Sequence, residues 1–335
     1  MEAVATKPDL PADAVDQEQP FELTESHFFA VETKLFAQGW PRDIDFYTRQ
    51  GEKFLLFRPA HQPANAREDA LAVQRGGALY VLKTDRAKYL RFLEGSMLVT
   101  MTDEAIPLEN RAAAMRDLST AVIADLLADP SSRQQLTRSR AVVRGLAEFA
   151  ARSPQVVQEF FLAPRTDPYL ISHSLNSSVF AIGLSTRLGI TSAEDVQALG
   201  MGCLLKDAGL QSIPERVLSK PGPLTPQEWM VVKRHPLLGV QLLEKAGTVS
   251  EVVRAAVLQH HEYLDGSGYP QGLGGEQIHW AARIATAVDV FDALTSDRPH
   301  AKAMETFPAL VLMRDRFRDK VDAEIFRQLV QMLKA

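Results

Sequence analysis

The feature that most restricts the fold of this chain is a helical periodicity that starts near Leu108 and continues to the end. Apolar residues recur three and four positions apart in ENRAAAMRDLSTAVIADLLADP and again in RSRAVVRGLAEFAARSP. Helix starts are marked by a capping-box pattern from Thr191, by Thr225 followed by proline, and by Ser250. We therefore predict that most of residues 104–335 is helical.

Residues 21–103 follow a different pattern. Short runs favourable to β-structure, FFAVETKLF, DIDFYTR, KFLLFRP and ALYVLKT, are separated by glycine, proline and polar residues. The stretch IDFYTRQGEKFLLF has the form of a hairpin that turns at Gly51. We predict an α+β chain, in which a small β-containing accessory domain (21–103) precedes an all-α domain (104–335). Residues 1–20, which are acidic and rich in proline, are predicted to be a disordered tail.

Net charge, cysteine count and the absence of long apolar runs exclude several classes of function. The net charge of −5 over 335 residues argues against a surface for DNA or RNA. Cys203 is the only cysteine, which excludes an internal disulfide and a thiolate zinc cluster and suits a reducing compartment. No apolar run is long enough to cross a bilayer, and the first twenty residues lack the basic start and apolar core of a secretory signal. We predict a cytoplasmic protein without membrane partners; its oligomeric state stays open.

A group of histidines and acids in the helical part suggests a metal site. His260 and His261 end a predicted helix and are followed by an acid and a glycine-rich loop, HHEYLDGSGYP. Asp207 lies near the end of another helix, with Gly209 as its expected terminator. Other members lie at positions where helices begin or face inward: His173, His235, Asp289 and Asp292. Imidazole and carboxylate without thiolate suit first-row metals such as iron, manganese, nickel and zinc.

Simpler interpretations exist for single members of this group. A lone His173 on an apolar helix face is more often a hydrogen-bonded core histidine. The alternative for Asp292 is that it is a charged residue on a helix surface. His279 and His300 have no evident partners in the sequence. The complete loop motif favours a functional site over these separate explanations.

The helical part resembles the HD-GYP domain, a bacterial branch of the HD phosphohydrolase superfamily that hydrolyses cyclic di-GMP. HHEYLDGSGYPQGL fits the family signature at every fixed position, and HPLLGVQLL, SKPGPLTPQEW and DVFDALTSDRP fit three further segments in the family's order. The resemblance covers residues 165–325 and extends loosely back to residue 104. The β-containing part carries no ligand motif.

The resemblance implies roles for individual residues. The implied metal ligands are His173, Asp207, His235, His260, His261 and Asp289, with Asp207 as the bridging, catalytic carboxylate. Lys220 and Arg298 match positions that hold the substrate's phosphates. The loop residues Gly268, Tyr269 and Pro270 match the wall of the nucleotide pocket. The expected cofactor is a divalent metal, with iron or manganese favoured over zinc or nickel.

Four positions of the site depart from the family pattern. The family's HDxGK segment is Lys206-Asp207-Ala-Gly-Leu210 here, so a ligand histidine is replaced by lysine and a lysine by leucine. Tyr169 stands where some members have an acid for a third metal, and His300 stands where a tyrosine is common. An ammonium has no lone pair and repels a dication. We expect Lys206 to take over part of one metal's charge, leaving fewer than two metals per chain; the alternative is that Lys206 turns to solvent.

Three functions remain open at this point. The first is a signalling protein of the HD-GYP type with lost or much reduced phosphodiesterase activity, which acts by binding cyclic di-GMP or a partner such as a diguanylate cyclase. The second is an active but weak metal-dependent cyclic di-GMP phosphodiesterase. The third, an HD-type hydrolase of another nucleotide, is disfavoured by the Gly-Tyr-Pro loop.

Overall fold

The computed structural model describes residues 24–32, 36, 39–62, 78–163, 168–247, 249–297 and 302–334. The predicted tail at 1–20 lies outside these residues. The chain divides into two compact units, Met1–Ala114 and Met115–Ala335. The fold class predicted from the sequence is confirmed: a small antiparallel sheet is followed by a helical domain.

The first unit is built on a four-stranded antiparallel sheet. Its strands are β1 (Phe28–Glu32), β2 (Phe46–Gln50), β3 (Lys53–Arg58) and β4 (Ala78–Leu82), in the order β1-β4-β2-β3. The hairpin predicted at Gly51 joins β2 and β3, and its φ of +63° is the left-handed conformation that glycine adopts without strain. Phe28, Tyr47 and Leu82 form a small core on the sheet, which helix α1 (Arg86–Thr102) follows.

The remaining described elements are helices. They are α2 (Leu108–Ala128), α3 (Arg133–Arg152), α4 (Val156–Leu162), α5 (Tyr169–Arg187), α6 (Ala193–Leu205), α7 (Glu215–Leu218), α8 (Pro226–Val232), α9 (His235–Ala246), α10 (Glu251–Gln259), α11 (Trp280–Thr295), α12 (Thr306–Arg316) and α13 (Ala323–Lys334). None of the helices in the described parts of the chain is long and apolar enough to cross a bilayer.

The helix starts follow the predicted capping signals with one shift. Thr225 forms the capping box with Glu228, and the Ser250 hydroxyl accepts a hydrogen bond from the Val253 N–H. At the start of α6 the cap is Ser192 rather than Thr191, because the Ser192 hydroxyl accepts from the Asp195 N–H.

The helical part is expected to fold without the β-containing part. A chain that starts at residue 104 keeps α2 whole, since that helix begins at Leu108. We expect such a truncated protein to unfold cooperatively and to bind the same amount of metal as the full chain. Thermal unfolding and elemental analysis of both proteins check this. A truncated protein that is unfolded or free of metal would place the domain boundary elsewhere.

Candidate metal centre

The six predicted ligands converge in the helical unit. His173 lies on α5 and Asp289 on α11, while His235 is the first residue of α9. Asp207 follows the end of α6, and His260 and His261 follow the end of α10. Helix ends allow these side chains to point at one another, and two groups of ligand atoms result, each with its atoms within 4.8 Å: Asp207, His235, His260 and His261, and His173, Asp207 and Asp289.

The first group presents lone pairs that face one another. The Nδ1 atoms of His235 and His260 donate to the carbonyls of Val232 and Val257, both at 2.9 Å, which leaves each Nε2 as an acceptor. These two Nε2 atoms are 3.2 Å apart, and Oδ1 of Asp207 lies 3.5 and 3.8 Å from them. Three buried acceptors at these distances form a site that suits a cation between them.

Burial keeps the imidazoles of this group neutral. It lowers the pKa of His235 and His260, and it lowers the pKa of His261 to about 4. Neutral imidazole is the form that ligates metal. The donor set of three imidazoles and one carboxylate therefore fits a divalent first-row metal.

The second group already contains a cation, the Lys206 ammonium. Lys206 is 0% exposed, so the alternative in which it turns to solvent is wrong. Its Nζ contacts Oδ2 of Asp207 and lies 2.8 Å from Oδ1 of Asp289 and 2.5 Å from Nε2 of His173. Burial lowers the pKa of Lys206, but the carboxylates of Asp207 and Asp289 outweigh that effect and raise it, so the amine stays charged.

Asp207 divides its two oxygens between the groups. Oδ2 contacts Lys206, while Oδ1 faces His235 and His260. Burial raises its pKa, but Lys206 and His173 together outweigh burial and hold the pKa well below its usual range. Asp207 is therefore a carboxylate that bridges an ammonium and an imidazole cluster.

The sequence placed Asp292 in the group of histidines and acids without a role of its own, and its alternative as a surface charge is wrong. It is 0% exposed, and Oδ2 accepts from Nδ1 of His173 at 2.7 Å and from Ser296 at 3.0 Å. Its Oδ1 accepts from Asn176 at 2.8 Å. Asp292 thus fixes the ring of His173 so that Nε2 faces Lys206. Its spacing of three from Asp289 was the available signal.

Glu262 is a second residue whose role the sequence did not reveal. Its buried carboxylate accepts the backbone N–H groups of Gln271, Gly272 and Leu273 at 2.6 to 3.1 Å, which anchors the glycine-rich loop. Gly268 passes so close to the backbone of residues 261–263 that a Cβ would lie 2.5 Å from three of its atoms. The loop is therefore held against the histidine pair, and the Tyr269–Pro270 bond within it is cis.

Gly209 has a different role from the predicted helix terminator. It lies in the 3₁₀ turn Ala208–Ser212, and a Cβ there would be 2.0 Å from the carbonyl oxygen of His235. The glycine allows the start of α9 to pack directly against the turn that carries Asp207. It sets the distance between two candidate ligands instead of ending a helix.

Of the two predicted phosphate-binding residues, the structure describes Lys220 but not Arg298. Nζ of Lys220 donates to Oε2 of Glu228 at 2.6 Å, and that carboxylate also caps α8. Leu210 is half-buried, one turn after Asp207. Arg298 and His300 lie outside the described residues.

Comparison with known proteins identifies relatives of the helical part. A model of the HD domain family matches residues 165–325. A cyclic di-GMP phosphodiesterase of Pseudomonas aeruginosa is 32% identical over 222 residues, which are 66% of this chain and 53% of the relative. A cyclic di-GMP phosphodiesterase response regulator of Xanthomonas campestris pv. campestris is 44% identical over 133 residues, or 39% of this chain and 34% of the relative.

Two further comparisons concern substrate and fold. A 3'3'-cGAMP-specific phosphodiesterase of Vibrio cholerae is 36% identical over 166 residues, or 50% of this chain and 36% of the relative. The chain spans about half the length, or less, of these curated relatives. The solved structure of an HDG"Y"P protein from Bdellovibrio bacteriovorus has the same fold, with a TM-score of 0.67 at 18% identity over 92% of this chain and 100% of that one.

Proposed function

Because this chain belongs to the HD-GYP family through its residues 165–325, we propose that it is a cyclic di-GMP signalling protein whose metal-dependent phosphodiesterase activity is lost or much reduced. It acts by binding the nucleotide or a partner protein, for which a diguanylate cyclase is a candidate. The position of the Lys206 ammonium among His173, Asp207 and Asp289 carries this proposal.

The Lys206 ammonium supplies positive charge where a metal ion would lie, but it cannot perform the metal's part in hydrolysis. Two-metal hydrolysis uses one ion on each side of a bridging carboxylate to stabilise the attacking and leaving oxygens. An ammonium offers neither an open coordination position nor an activated water. Lys206 is also fully buried, so its ammonium has no surface exposed to a substrate. The group of His173, Asp207 and Asp289 is therefore occupied by an internal cation.

The other group keeps its ligands. His235, His260 and His261, with Oδ1 of Asp207, would hold one divalent ion, for which we favour iron or manganese over zinc or nickel. Such an ion polarises a phosphate oxygen and lowers the pKa of a bound water. Val232 and Val257 orient two of the rings, and the neutral state of the imidazoles keeps their lone pairs available.

The resemblance supports a nucleotide pocket beside this group, formed in part by the glycine-rich loop. Tyr269 stacks on His261 with ring centroids 4.6 Å apart, and its N–H donates to the His261 carbonyl at 3.0 Å. Gly268 and Pro270 flank it in the loop. Among the residues that the structure describes, Lys220 is the candidate for a phosphate contact. To bind a phosphate, its ammonium must give up or share its hydrogen bond to Glu228. The proposed contact of Arg298 with a phosphate rests on the sequence resemblance alone. The names of the relatives support a cyclic purine dinucleotide as the ligand.

The alternative function is a weak phosphodiesterase that works with the single remaining ion. The intact histidine group and the intact loop favour it, because both are parts of the family's catalytic apparatus. Turnover of cyclic di-GMP with added iron or manganese separates the two: a pure binding protein gives none above a metal-only blank.

We expect at most one tightly bound metal per chain. The full chain, supplied with iron or manganese and then dialysed, should retain no more than one equivalent by elemental analysis. His260→Ala should lower that content to near zero, since it removes a ligand of the open group. His279→Ala, outside both ligand groups, is the control and should leave the content unchanged. Two full equivalents in the unchanged protein would contradict the proposal.

A further inference from the structure

Trp229 is unusually exposed for a residue so close to the candidate centre. It lies on α8, and 43% of its surface is open to solvent. Indole rings stabilise a protein mainly through the large apolar area that they bury. Nζ of Lys233 lies 5.9 Å from the Trp229 ring, and this cation–π contact covers part of it. The rest of the ring remains available to a ligand.

A continuous series of rings connects Trp229 to the metal-ligand group. Tyr269 stacks on His261 at 4.6 Å and an interplanar angle of 30°. Trp229 is the next ring outward, 6.4 Å from Tyr269 and inclined to it by 73°. A ligand whose charged end reaches the histidine group therefore passes Tyr269 and arrives at Trp229.

The charge around these rings suits a nucleotide. Nζ of Lys233 lies 5.2 Å from the centre of the Tyr269 ring and 5.9 Å from that of Trp229, so one ammonium makes a cation–π contact with both rings. Lys220 is held next to α8 by Glu228, the residue before Trp229. An apolar ring flanked by ammonium groups matches a ligand that joins a flat aromatic base to an anionic phosphate.

We infer that Trp229, Lys233 and Tyr269, here called the Trp229 ledge, bind one purine base of a cyclic dinucleotide by stacking on Trp229. The inference rests on the proposed function and adds the subsite that holds the base. Stacking is tolerant of base identity because every base has a π-face. The Trp229 ledge therefore accepts the guanine of cyclic di-GMP and the adenine or guanine of 3'3'-cGAMP.

The test is the affinity of the full chain for cyclic di-GMP, measured by calorimetry in the presence of manganese. Trp229→Ala should weaken binding roughly five- to hundredfold, the range found when a stacking aromatic is removed. Trp229→Leu, which keeps an apolar side chain without a π-face, should also weaken it, and Trp229→Phe should restore most of the affinity. Met230→Ala is the matched control, since Met230 is the next residue on α8 and is 63% exposed.

Inorganic phosphate provides a ligand without a base. Its affinity should be the same in the unchanged protein and in all Trp229 variants, while that for cyclic di-GMP and 3'3'-cGAMP falls. Equal affinity of Trp229→Leu and the unchanged protein for cyclic di-GMP overturns the inference and leaves the proposed function standing. A parallel loss of phosphate binding also overturns it, because the damage is then general. Failure of the unchanged protein to bind either dinucleotide overturns this inference together with the nucleotide-binding form of the proposed function.

Discussion

Replacing Lys206 by histidine is expected to raise the metal content to two ions per chain and to increase turnover of cyclic di-GMP. The substitution removes a buried ammonium and supplies a neutral imidazole, a good ligand for iron or manganese. Asp207, Asp289 and Nε2 of His173 already surround the vacated position. We expect a rate gain on the order of a hundredfold, comparable with restoring one preorganised electrostatic group at an active site.

The measurement compares the unchanged protein with Lys206→His, Leu210→Lys and the double variant, each with added iron or manganese. Leu210→Lys alone should have little effect, and it should add to Lys206→His if the new amine reaches the substrate. Lys245→His is the matched control, because it makes the same change at an exposed position outside the two ligand groups and outside the Trp229 ledge. Equal turnover in the unchanged protein and Lys206→His would show that Lys206 is not the cause of reduced activity. High turnover in the unchanged protein would favour the alternative, an active enzyme.

Replacing Lys206 by methionine in metal-free protein should lower the free energy of unfolding by about 3–5 kcal/mol, as the loss of one partner of a buried ion pair does. Methionine has a similar length but no charge, so the carboxylates of Asp207 and Asp289 lose the cation that opposes their burial. Burial raises the pKa of both acids, and Lys206 makes the largest contribution among the groups, His173 included, that together hold it well below the usual range. Without Lys206 the buried carboxylates are uncompensated in the folded state, which lowers the free energy of unfolding.

Chemical denaturation of Lys206→Met with and without manganese checks this result. Manganese should restore much of the lost stability, because the vacated group keeps three ligands and binding to the folded state is stabilising. Lys233→Met should change the unfolding free energy by less than about 1 kcal/mol, since its ammonium is not held between buried acids. An unchanged unfolding midpoint for metal-free Lys206→Met would mean that the ammonium does not stabilise the ligand group.

Some parts of the site were accessible to sequence reasoning because they follow local rules. Residue spacing placed His173 on an inward helix face, and the loop motif marked His260 and His261. Other parts depend on contacts between distant segments. Asp292 receives its function from His173, which is 119 positions away, and its spacing of three from Asp289 indicates a shared helix face but not this role. Glu262 is recognisable only once the loop folds back over it.

The sequence by itself determined the succession of a β-containing part and a helical part, most helix starts, and the identity of the six residues that converge. The order of the two parts and the helix starts follow from periodicity and capping, which act over a few neighbouring residues. The six residues are those that the resemblance to the family implies. Only the tertiary structure decided the orientation of Lys206. Its flexible side chain at a helix end was free to reach solvent or the interior. The carboxylates of Asp207 and Asp289, brought together by the packing of α6 and α11, made the interior the more stable place for its charge.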